Sequence, residues 1–99
     1  MASQDDFRRK LGKIEYDSAV LMAELNSNNR DMETARTTWA ASYPEGYASY
    51  CFQIETLNRQ IQQELDFQQE CRNAVIKERD EADLAFALNL HNQINDPIA

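Results

Sequence analysis

The stretch TTWAASYPEGYASY, residues 37–50, decides the fold. Within eight residues it holds the only Trp (Trp39), the first of two prolines (Pro44) and one of two glycines (Gly46). Pro44 has no N–H to offer the carbonyl of Ala40 and drives Tyr43 out of helical dihedrals, so an incoming helix cannot pass through it. Ser42 and Glu45 stand at capping-box spacing, which starts a second helix almost at once. A connection this short turns the two helices antiparallel.

Upstream, Phe7, Leu11, Ile14, Ser18, Leu21, Leu25, Asn28, Met32, Ala35 and Trp39 follow alternating steps of four and three. That is a coiled-coil seam, with Ser18 and Asn28 as its polar members. Ser3 with Asp6 has capping-box spacing at the start. Residues 26–31, NSNNRD, are poor helix formers, so a kink there stands as the alternative to a continuous helix. Downstream, the second seam starts as Tyr50, Ile54, Leu57 and Ile61, then shifts phase at Leu65, with Cys71 and Val75 as further core candidates. Asn95, Asp96 and Pro97 end it. The expected architecture is all-α: one helical-hairpin domain, residues 1–99, with helix 1 over about 4–41, a turn at 42–46 and helix 2 over about 47–95. Its two long antiparallel helices associate, coiled-coil-like, into a helical-bundle oligomer.

The arms are unequal. With the turn centred near residues 43 and 44, position i packs near position 87 minus i, and the first arm runs out near Asp83. Helix 2 continues as LAFALNLHNQI, residues 84–94. Leu84, Phe86, Leu88, Leu90 and Ile94 thus form an apolar overhang. Burying such side chains stabilises by roughly 1.5–3 kcal/mol each, so a protein partner or a second copy is expected to cover them. Leu, Ile, Val and Phe total only 20 of 99 residues, which also points to association, because a two-helix chain buries a single seam.

Composition narrows the chemistry. Seventeen acidic residues against ten basic ones give a formal charge of −7, contrary to what nucleic-acid binding needs. The one basic cluster is Arg8, Arg9, Lys10 and Lys13, beside Asp5 and Asp6. No apolar run approaches membrane-spanning length. Cys51 and Cys71 lie twenty residues apart on one helix, roughly 30 Å, far beyond disulfide reach. Free thiols suit a reducing, cytoplasmic setting, and any export would be leaderless. His91, the only His, has no Glu-x-x-His partner, and two distant cysteines do not complete a zinc site. Two glycines make no phosphate loop. A non-enzymatic protein is expected, with no cofactor, metal, nucleic-acid, membrane or small-molecule ligand.

Two resemblances follow from these residues. A helical hairpin of this length with Trp39 at its bend resembles the WxG family, the small leaderless substrates of type VII (ESX-like) secretion, which act as homo- or heterodimers. Ala41 stands where that family places glycine, and Gly46 comes five residues late. The tail ERDEADLAFALNLHNQ resembles a ubiquitin-interacting motif. Glu78, Asp80, Glu81 and Asp83 supply the acidic run, Leu84 and Ala87 fall at the motif's spacing with Leu88 beside them, and His91 replaces its Ser. That likeness implies ubiquitin binding through residues 78–91. Small acidic all-helical chains also serve as phage structural proteins, assembly chaperones or host-system inhibitors. The expected role is a protein-protein interaction or assembly module, with Leu84, Phe86, Ala87, Leu88, Leu90, His91 and Ile94 as its partner-binding residues and the ubiquitin-binding adaptor as the alternative.

Overall fold

The computed structural model describes residues 3–95. Asp96 and Pro97, expected to stop the second helix, lie outside them. Two α-helices form an antiparallel hairpin: α1 (Gln4–Thr38) and α2 (Pro44–Asn95). At the head of α1 the Ser3 hydroxyl accepts from the Asp6 N–H at 3.2 Å, and the Asp6 carboxylate accepts from the Ser3 N–H at 3.2 Å. The expected capping box is therefore present. Ser3→Ala should cost about 1 kcal/mol at neutral pH, read from urea unfolding midpoints.

The box also has a pH signature. Hydrogen bonds from the Ser3 backbone and side chain, helped by Arg9, hold the Asp6 carboxyl below its ordinary value. A carboxylate favoured in the folded state adds stability above its unfolded pKa and loses it as pH falls through the lowered folded value. Asp6→Asn should therefore be less stable than the wild type at neutral pH, with the gap closing in acid. A gap that stays constant down to the acid limb would rule this out.

The α1 helix runs through residues 26–31 without a break. The poor formers are compensated across the seam. The Asn28 amide donates to Asn58 Oδ1 at 3.0 Å, and the Asn58 amide donates to Asn29 Oδ1 at 2.9 Å. The helix ends at Thr38, three residues short of the expected Ala41. Its final residues are rich in threonine, whose hydroxyls bond back to carbonyls: Thr34 to Arg30, Thr37 to Glu33 and Thr38 to Thr34. Such competition weakens a last turn.

The turn is residues 39–43 and not 42–46. Trp39 and Ala40 both donate to the carbonyl of Ala35, while Ser42 and Tyr43 donate to that of Trp39. Pro44 has a different part from the one expected. It opens α2 as the first helical residue, where its fixed φ suits a helix and its missing N–H costs nothing. Tyr43 therefore takes the N-cap place assigned to Ser42, its carbonyl accepting from the Tyr47 N–H at 3.0 Å. Gly46 lies in a backbone with no unusual dihedrals and gives close approach, since a Cβ there would run into the Tyr43 ring. Trp39 closes the hairpin, meeting the Tyr47 ring edge-on at 5.8 Å and Tyr50 at 5.6 Å.

Across the seam, position i faces position 86 or 87 minus i. Gln4 bonds Asp83, Asn28 bonds Asn58, and Trp39 meets Tyr47. The α1 seam is the expected one, every member buried or half-buried. The α2 seam differs. It runs Tyr47, Cys51, Ile54, Asn58, Ile61, Leu65, Gln68, Arg72, Val75, Arg79 and Ala82, keeping steps of four and three without a phase shift at Leu65. Leu57 lies outside it, 48% exposed, and Asn58 takes the seam position. Only Phe7, Ala35 and Ile61 are buried among the described residues. The rod measures 88 × 17 × 16 Å with a radius of gyration of 23.5 Å, against about 13 Å for a globular chain of this length.

Candidate functional site

The hairpin stops at the bond from the Gln4 amide to the Asp83 carboxylate, and α2 continues from Leu84 to Asn95 with no α1 beside it. Leu84, Phe86, Ala87, Leu88, Leu90, His91 and Ile94 all lie on this overhang and all are exposed. Exposure reaches 60% at Leu84, 71% at Phe86 and 73% at Ile94. No Asp, Glu, Lys or Arg falls between residues 84 and 95.

These residues do not share one face. Continued by its own steps, the α2 seam passes from Ala82 through Phe86, Asn89 and Gln93, so Phe86 alone of the seven extends it. Leu84, Ala87, Leu88 and His91 have the spacing i, i+3, i+4, i+7 of a single stripe. At roughly 100° per residue, that stripe lies on the side of α2 turned away from α1. Leu90 and Ile94 form a flank between the two. An overhang apolar around most of its circumference is a helix suited to enclosure by several neighbours.

The same end of the hairpin carries opposed charges. Glu78, Asp80, Glu81 and Asp83 are exposed on α2 at the root of the overhang. Arg79, in the seam, lies 3.4 Å from Asp80. Beside them α1 carries exposed Arg8, Arg9, Lys10 and Lys13. Arg8 lies 3.6 Å from Asp5 and Arg9 lies 3.0 Å from Asp6, both pairs open to solvent, where such contacts contribute little. Between the helices lies a groove of about 380 Å³, lined by Gln4, Phe7, Arg8, Leu11, Gly12, Glu15 and Arg79. A Cβ placed on Gly12 would meet nothing within 4 Å. Neither Gly12 nor Arg79 stands out in the amino-acid order as part of a surface. A lone Gly inside a strong helical pattern was the available signal.

At the far end, Arg36 pairs with Glu33 through two hydrogen bonds, which holds the Glu33 carboxyl below its ordinary value. The Tyr47 phenol is raised by its hydrogen bond with Cys51 and by burial. Cys51 and Cys71 are both free and half-buried. Among the described residues, no three His, Cys, Asp or Glu side chains cluster as metal ligands, and no helix is long and apolar enough to cross a membrane.

In comparisons with known proteins, no family model, no curated protein and no solved structure matches this chain.

Proposed function

We propose that this chain is a non-enzymatic protein-protein interaction or assembly module whose working surface is the α2 overhang. The observation that carries the reading is the apolar, uncharged segment 84–94 projecting beyond the last cross-helix bond. Large apolar side chains gathered at one exposed place mark an interaction site, whereas scattered ones do not. The helix-in-groove mode supplies the mechanism: apolar side chains at i, i+3, i+4 and i+7 enter a complementary cleft.

A photoreactive residue at Asn92, in the full chain expressed in its native cells, tests this. Covalent protein adducts are expected, and they should vanish with Leu84→Asp/Leu88→Asp while helicity by circular dichroism stays unchanged. No adduct at all, or adducts indifferent to that double substitution, would reject the reading.

One observation favours a ubiquitin-binding adaptor as the second reading. Leu84, Ala87, Leu88 and His91 share the stripe turned away from α1, directly after the acidic run. A small Ala there lets the helix lie close on a flat apolar patch while the carboxylates meet basic neighbours. Titration of labelled ubiquitin separates the two readings. Saturable binding lost with Ala87→Arg supports the adaptor, and no binding, or binding that survives the substitution, removes it.

A further inference from the structure

We draw no further inference here: the strongest candidate, the apolar α2 overhang at residues 84–94, belongs to the site already described, and nothing in the structure, the mixed charges at its root included, shows what covers it.

Discussion

Ile61→Ala should lower the thermal midpoint of the hairpin by roughly 10 °C or more, the largest loss expected from a single truncation in the middle of the seam. Ile61 is 8% exposed at mid-length on α2, where the register sets it opposite Leu25. Truncating a buried Ile costs about 2–5 kcal/mol, through lost transfer energy and the cavity left behind. Domains of this size hold about 5–15 kcal/mol in total, so a large share is at stake where only three of the described residues are buried. Phe67→Ala is the control. Phe67 is larger but 56% exposed on the outer side of α2, and its loss should stay within about 0.5 kcal/mol. Melting curves by circular dichroism at matched concentration decide the matter. Equal shifts for the two variants would mean that the seam is not what holds the hairpin.

The contrast between Ile61 and Leu57 shows what was legible in the amino-acid order. The α1 seam could be counted because eight of its ten positions are apolar or aromatic. On α2 the positions of Asn58, Gln68, Arg72 and Arg79 lie in the seam, so apolarity no longer marks the stripe. Leu57, one residue before Asn58, drew the pattern off by one and created the false phase shift at Leu65. Arg72 and Arg79 take such places because their long stems lie along apolar surface while the guanidinium reaches water. The register was legible despite this, since it depends on where the chain turns, and Gln4–Asp83 falls on the expected sum. The centre of the reversal was right, but the turn's bounds and its chemistry were not. Pro44 is equally at home ending one helix and opening the next, and only the early end of α1 at Thr38 separates the two roles.

The overhang was legible in extent and not in orientation. Its length follows from the register, whereas the side each residue faces depends on the phase of the whole α2 seam. With Leu57 taken for Asn58, that phase was off by one residue. The corrected phase turns the Leu84–Leu88 stripe away from α1 and leaves Phe86 on the seam. The most densely apolar part of α2, residues 84–88, thus lies outside the hairpin, while the part inside carries two arginines and two amides in its seam. Such a distribution leaves α2's strongest hydrophobic contribution outside the packing of its own hairpin.

Asn58→Leu should destabilise the hairpin by about 1–3 kcal/mol even though it adds an apolar side chain to the seam. Asn58 accepts from the half-buried Asn28 amide at 3.0 Å and donates to Asn29 at 2.9 Å. With Leu in its place, Asn28 keeps its polar amide between the helices without its partner, and the desolvation cost goes unrepaid. Replacing both, Asn28→Leu/Asn58→Leu, should reverse the sign and melt above the wild type, because a matched apolar layer needs no polar satisfaction. The gain should come with a loss of uniqueness. A single polar layer in a coiled-coil seam restricts partner number and alignment, since other arrangements leave its amides unpaired. Light scattering on the double variant should therefore show a mixture of masses in place of one species. A single Asn58→Leu chain as stable as the wild type would show that the asparagine layer carries no such role. If the double variant melts higher and still has one mass, the asparagine layer does not set the number of chains.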